Sequence, residues 1–207
     1  MTNNTFEAFH LAANCVGIQN TANIFHLAHF LIECNRIPGD VVEFGCHAGH
    51  SAALMSVLTS KRIWVYDSFR GLPESGPGDK GAGRIFRPGY LTLNQQVLQH
   101  TFDHHFLPSP LICAKWFSEV KPDDLPDKIA FAHLDGDLDV SVTQSLNLVW
   151  PRMSPGAVAL VHDYDQFSLP GVKVAVQKFI AGNAGVQFNQ LVELDGSGAM
   201  QCTLTKL

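Results

Sequence analysis

Two acidic clusters carry the strongest chemical signal in the chain, Leu134-Asp135-Gly136-Asp137 and His162-Asp163-Tyr164-Asp165. Each follows a short apolar run, Lys128 to Leu134 and Ala157 to Val161. As neighbouring parallel strands, these runs end at one sheet edge, where Asp135, His162 and Asp163 converge. Two carboxylates and an imidazole together can hold a divalent cation, or act as a general base with an orienting partner. The competing reading makes Asp137 and Asp163 helix caps and His162 a hydrogen-bonded strand end. His133 lies two residues before Asp135, so it points to the same side of its strand and reads as a satisfied core histidine. His100, His104 and His105 fall on an expected helix and read as a solvated face.

A second constellation lies upstream, in Glu43-Phe44-Gly45-Cys46-His47-Ala48-Gly49. Gly45 permits a sharp turn out of a strand, and Gly49 permits a close approach of the following helix start to a ligand. The first amides of that helix, with the Ser51 hydroxyl beside them, are anion-binding donors. His47 stands where a dinucleotide fingerprint needs its second glycine, so GxGxxG is absent and a pyrophosphate ligand is disfavoured. What remains suits a ligand carrying a carboxylate and an ammonium, with Glu43 at the cationic end. The alternative is that both glycines serve strand–helix packing alone. Asp67 ends the next strand about 20 residues on, where α/β folds place a carboxylate against ribose hydroxyls. Together these point to a nucleoside-containing ligand. Trp116-Phe117, after a third strand, offers a purine-stacking surface or an aromatic core.

The elements that must position these groups follow from apolar periodicity. Ile24, Leu27, Ala28 and Leu31 recur at helical spacing, and Pro38-Gly39 stops that helix. Strands are expected at Val41–Gly45, Ile63–Tyr66, Leu111–Cys113, Lys128–Leu134 and Ala157–Val161, with a helix from Gly49 through Leu58. This alternation indicates an α/β fold with a mostly parallel sheet. Val186–Leu194 and Ala199–Leu204 flank Asp195-Gly196-Ser197-Gly198, the signal of a closing hairpin. Gly71 to Gly89 holds six glycines and three prolines and reads as a functional lid over 71–90. After it, Thr92 and Gln95 form a capping box that opens a helix through Phe106.

Composition narrows the class. The 207 residues carry 14 basic and 19 acidic side chains, a net charge of −5, which disfavours nucleic acid or an anionic membrane as partner. The length suits a single domain over 1–207 with helices across its first 37 residues. No basic residue precedes Arg36, and no run of ~18 apolar residues occurs, so a soluble cytoplasmic protein is expected. The five cysteines are scattered without CxxC spacing, which argues against both a disulfide framework and a zinc knuckle.

From Pro38 to about Phe179 the chain resembles the macrocin O-methyltransferase family, a branch of the class I S-adenosylmethionine-dependent methyltransferases. The likeness is carried by Pro38-Gly39-Asp40-Val41-Val42-Glu43-Phe44-Gly45, Tyr66-Asp67-Ser68-Phe69-Arg70-Gly71-Leu72-Pro73 and Leu134-Asp135-Gly136-Asp137-Leu138. Pro151-Arg152-Met153-Ser154-Pro155-Gly156 and Val161-His162-Asp163-Tyr164 complete it. Gly49-His50-Ser51-Ala52 also looks like the turn of catechol-type O-methyltransferases. The resemblance implies a Rossmann-like, seven-stranded sheet with its last strand antiparallel and helices on both faces. It implies S-adenosylmethionine as methyl donor and a small-molecule acceptor, a sugar hydroxyl on a natural product, with magnesium as the usual metal and a tendency to self-associate. By position, Glu43, Gly45, Gly49, His50 and Ser51 would hold the methionine moiety and Asp67 with Ser68 the ribose. The Lys115-Trp116 region would hold the adenine. Asp135 would be base and metal ligand beside the cofactor, with His162 and Asp163 completing the metal site and His162 sharing in catalysis.

Three departures stand out. The family has paired aspartates at 162 and 163, a glycine at 115, and Leu-Tyr-Glu-Ser-Thr where this chain reads Leu138-Asp139-Val140-Ser141-Val142. An imidazole disfavours magnesium and suits manganese, iron or zinc. A metal-independent methyltransferase with His162 as base, and a nucleoside-binding protein without chemistry, are the alternative readings.

Overall fold

The computed structural model describes residues 10–13, 21–82, 85–191 and 200–207. Five strands run parallel: β1 (Asp40–Phe44), β2 (Ile63–Asp67), β3 (Leu111–Ala114), β4 (Ile129–Leu134) and β5 (Met153–Val161). With β6 (Val186–Leu191) and β7 (Gln201–Lys206) they form a sheet in the order β3-β2-β1-β4-β5-β7-β6. β7 is antiparallel to both of its neighbours, as the resemblance implies for the last strand. The helices are α1 (Thr21–Cys34), α2 (His50–Leu58), α3 (Gln95–His104), α4 (Asp139–Val149) and α5 (Pro170–Gly182).

Strand alternation sorts the sheet residues between two cores. Val42, Phe44, Ala132, Leu134, Ala159 and Val161 face α4 and α5. Val41, Phe131, Val158 and Leu160 face α1, α2 and α3. The same two-residue period assigns Glu43, His133 and His162 to the second face. Three polar side chains thus crown an otherwise apolar layer under α1 and α2. Among the described residues no helix is long and apolar enough to cross a membrane, and Cys34, Cys46, Cys113 and Cys202 are free thiols.

Three local expectations change. The helix after the glycine-rich segment starts at Gln95, and Asn94 caps it by accepting from the Gln96 amide at 2.9 Å. Thr92 cannot be that cap, because it bridges to Arg70 and its hydroxyl donates to the Gly89 carbonyl. The helix ends at His104 rather than Phe106, whose φ of +54° breaks it. β5 starts at Met153, before Ala157, because Ser154 anchors it by donating to the Pro38 carbonyl at 2.7 Å. β6 and β7 pair as the terminal hairpin requires, while its turn lies outside the described residues.

Candidate active site at the carboxyl edge of the sheet

β1 lies between β2 and β4, so the chain reverses its direction of travel across the sheet at this point. Parallel sheets open a crevice at such a reversal, beyond the carboxyl ends of the strands. A cavity of about 470 Å³ occupies it. Its floor is where the β1, β4 and β5 ends meet: the Asp135 amide donates to the Phe44 carbonyl at 2.8 Å, and the His162 amide to the Leu134 carbonyl at 2.9 Å. Gly45 has φ +88°, and a Cβ there would collide with the Asp135 carbonyl oxygen. Only glycine lets the two strand ends close together.

Asp135, His162 and Asp163 present ligand atoms that all lie within 4.8 Å of one another. His162 Nδ1 is 3.2 Å from Asp135 Oδ1 and 3.1 Å from Asp163 Oδ2. Both carboxylates lie within ion-pair distance of the ring nitrogen. Burial pulls the His162 pKa down, yet Asp135 and Asp163 outweigh it and hold the ring well above its ordinary value. Burial likewise opposes the Asp135 charge, and His162 overcomes it, leaving that carboxyl below its usual range. Asp137 behaves oppositely: burial first, then the charges of Asp135 and Asp163, push its carboxyl well up. Asp137 and Asp163 both hold left-handed backbone, φ +60° and +56°, the kind of local strain that collects at functional sites.

Asp67 reaches the opposite wall. Its Oδ2 accepts from the His47 amide at 2.9 Å and its Oδ1 from the Phe69 amide at 2.8 Å. The carboxylate is therefore fixed while each oxygen keeps a lone pair for a ligand. Trp116 lies on the wall as well, with the Arg70 guanidinium stacked 4.8 Å from its ring centroid. Ser68 lines the cavity, but its hydroxyl serves its own turn, accepting from Arg70 N and donating to Gly71 O. The segment read as a lid supplies Leu72, Glu74, Ile85, Phe86 and Tyr90 to the wall, and Leu72 and Tyr90 close its base through a 2.7 Å backbone bond.

Other expected site residues lie off the cavity wall. Glu43 is fully buried, its Oε1 accepting from the Ser51 hydroxyl at 2.6 Å and meeting His133 Nδ1 at 2.8 Å. Both Glu43 and Ser51 thus sit in the layer behind the cavity. Gly49 has φ +82°, and a Cβ there would meet the Leu98 side chain of α3. His50 is half-buried, and burial lowers its pKa. Lys115 is turned away, with Nζ on both Asp124 oxygens at 2.8 and 2.7 Å.

The sequence reading missed four features. His47 lines the cavity in left-handed backbone, φ +45°, and its non-glycine identity in a glycine turn was the available signal. Asp137 is a helix cap only in the competing reading, and the residue flanking α4 is Leu138, without a side-chain cap. That role falls to Asp79, whose Oδ1 accepts from the Asp139 amide at 2.9 Å. Asn23, on α1, meets His162 Nε2 at 2.8 Å.

A family model described as Macrocin-O-methyltransferase (TylF) matches residues 6–200. A tetracenomycin-C rhamnosyl 4'-O-methyltransferase of Streptomyces olivaceus is 29% identical over 206 residues, covering 91% of this chain and 74% of that protein. The demethyldecarbamoylnovobiocin O-methyltransferase of Streptomyces niveus is 29% identical over 188 residues, covering 82% and 68%. The solved structure of the O-methyltransferase NovP superposes with a TM-score of 0.76 at 22% identity, over 90% of this chain and 80% of that one. The match spans the strand ends that build the crevice as well as the scaffold around them, and on that extent the chain belongs to the macrocin O-methyltransferase family of S-adenosylmethionine-dependent O-methyltransferases.

Proposed function

We propose that this enzyme methylates a sugar hydroxyl of a natural-product glycoside in the crevice floored by Asp135, His162 and Asp163. The observation that carries the reading is the meeting of that cluster with a cavity whose far wall holds Asp67 and Trp116. The sugar acceptor is argued from the tetracenomycin relative, which acts on a rhamnosyl group. S-adenosylmethionine supplies an electrophilic methyl on a sulfonium. Asp67 holds its ribose hydroxyls with the lone pairs left free by His47 N and Phe69 N, and Trp116 presents a ring face to the adenine. Gly45 and His47 border the methionine end, with the hydrogen-bonded Glu43, Ser51 and His133 side chains behind it.

Asp135 takes the acceptor proton. A sugar hydroxyl is a poor nucleophile until its proton has somewhere to go. The Asp135 carboxylate, kept ionised by His162, can receive it as the new C–O bond forms and the methyl–sulfur bond breaks, leaving S-adenosylhomocysteine as the neutral thioether. The segment over 71–90 covers the acceptor and excludes water. Holding the two reactants in line then removes much of the barrier.

One nitrogen and two carboxylates fit a borderline divalent cation such as manganese better than magnesium. Bound there by Asp135, His162 and Asp163, such a cation would stabilise negative charge on the acceptor oxygen. A second, metal-independent reading is favoured by one observation: the His162 ring already stands between the two carboxylates at 3.1 and 3.2 Å. Turnover that survives exhaustive chelation and is not raised by added Mn²⁺ selects it. The primary reading is tested by Asp135→Asn, which should retain affinity for S-adenosylhomocysteine and lose turnover on glycosides. Wild-type turnover in that variant overturns it.

A further inference from the structure

We infer that Asn23 is a positioning residue for this site: its amide fixes the His162 ring so that Nδ1 faces Asp135 and Asp163. Asn23 lies on α1 four residues before Leu27, on the stripe that Leu27 and Leu31 bury against the sheet. It is only 5% exposed, and a polar group on an apolar stripe costs stability unless it is bonded. Its amide reaches His162 Nε2 at 2.8 Å, across 139 residues of sequence. The ring is thereby held at both ends, by the two carboxylates at Nδ1 and by α1 at Nε2.

The choice of an amide is informative. A half-turn of the Asn23 side chain presents either its oxygen or its nitrogen to Nε2. The contact therefore persists whether Nε2 carries a hydrogen or a lone pair. A carboxylate could only accept, and a hydrocarbon could do neither. When an imidazole binds a cation through one nitrogen, the bond made by the other sets the ring's orientation and tautomer. α1, which supplies no residue to the cavity wall among those described, thus reaches the site through the Asn23–His162 bond. The inference rests on the proposed function only for what Nδ1 does; the orientation of the ring can be read without it.

The test uses metal-free, full-length protein labelled with nitrogen-15 in histidine. Long-range proton–nitrogen spectra identify His162 by the signals lost in His162→Gln. Spectra are recorded at a pH where the ring is neutral, and wild type is expected to give one fixed hydrogen distribution on it. Asn23→Leu should give an averaged one and lower Mn²⁺ affinity by about tenfold or more, with S-adenosylhomocysteine affinity unchanged. Asn23→Asp, nearly the same size and able only to accept, should pin the hydrogen on Nε2. His162 signals in Asn23→Leu that match wild type overturn the inference, as does unchanged Mn²⁺ affinity. If Asn23→Leu does not fold, wild-type signals in Asn23→Asp overturn it equally. A wild type that takes up no Mn²⁺, but whose His162 signals still change in Asn23→Leu, sinks the metal reading and supports the positioning role.

Discussion

Two pairs of aspartates sit near the carboxyl edge of the sheet and do opposite work. Asp79 and Asp139 are each 5% exposed and are occupied by backbone amides. Asp79 accepts from Gly76 N at 2.6 Å and Asp139 N at 2.9 Å, and Asp139 accepts from Gly78 N at 3.0 Å. They fasten the glycine-rich segment to the start of α4, and Asp79 supplies in trans the cap that Leu138 cannot. Asp135 and Asp163 instead share an imidazole and open onto the cavity. A carboxylate whose lone pairs are committed to amides is a structural part; one paired with a titratable ring and facing open space keeps its capacity to exchange protons or bind a cation.

That contrast is sharpest under mutation. Asp135→Asn should cost about 10²- to 10⁴-fold in turnover, the range for loss of a general base, while the protein still folds and binds S-adenosylhomocysteine. Asp79→Ala should do the reverse. Two buried amides lose a charged acceptor, and about 2–4 kcal/mol of stability should disappear in denaturant titration. Turnover of the folded fraction at saturating acceptor should persist, with the acceptor KM raised because the segment over the cavity has lost its anchor. If Asp79→Ala abolishes turnover in folded protein, the two pairs are not functionally distinct.

The sequence separates these pairs only in part. Asp135, His162 and Asp163 are legible because strands of a parallel sheet must end together, so periodicity alone places them side by side. The sheet itself is legible for the same reason, from runs such as Val41–Phe44 and Ile129–Leu134. Asp79 is not legible. Its partner Asp139 is 60 residues away, and nothing in a glycine-rich segment announces which carboxylate will fold inward. Lys115 and Ser51 show the converse failure. Each stands at a motif position next to the ligand space, but their side chains are claimed by Asp124 and Glu43, pairings that depend on rotamer rather than register. Asn23 had a visible signal, an amide on an apolar helical stripe, though its partner emerges only from the packing of α1 against β5.

A smaller effect should separate the clusters by pH. The folded-state pKa of His162 is raised, burial being outweighed by Asp135 and Asp163. Its stabilisation of the metal-free protein is therefore full below its ordinary value of 6.5 and lost as pH rises through the raised value. Asp135, with its pKa lowered, contributes above its ordinary value and loses that contribution as pH falls through the lowered one. The stability gap between wild type and His162→Gln should thus narrow on the alkaline side, measured by denaturant unfolding in chelator. A gap that widens there contradicts the pairing.

The smallest expected effect concerns the wall opposite the acidic cluster. Arg70 stacks on Trp116 while its guanidinium pairs with Glu119 Oε2 at 2.7 Å, and Glu119 in turn accepts from the Trp116 amide at 2.9 Å. These groups are exposed, so solvent screens their charges and their value lies in holding the indole still. Arg70→Ala should weaken S-adenosylhomocysteine binding by about two- to fivefold, the scale of an exposed cation–π contact, with no change in the pH dependence of turnover. Lys115→Ala should leave the same affinity unchanged, because Nζ is committed to Asp124 and faces away from the cavity. Calorimetric titration distinguishes the two. A larger loss in Lys115→Ala than in Arg70→Ala would return Lys115 to the adenine site and remove Arg70 from it.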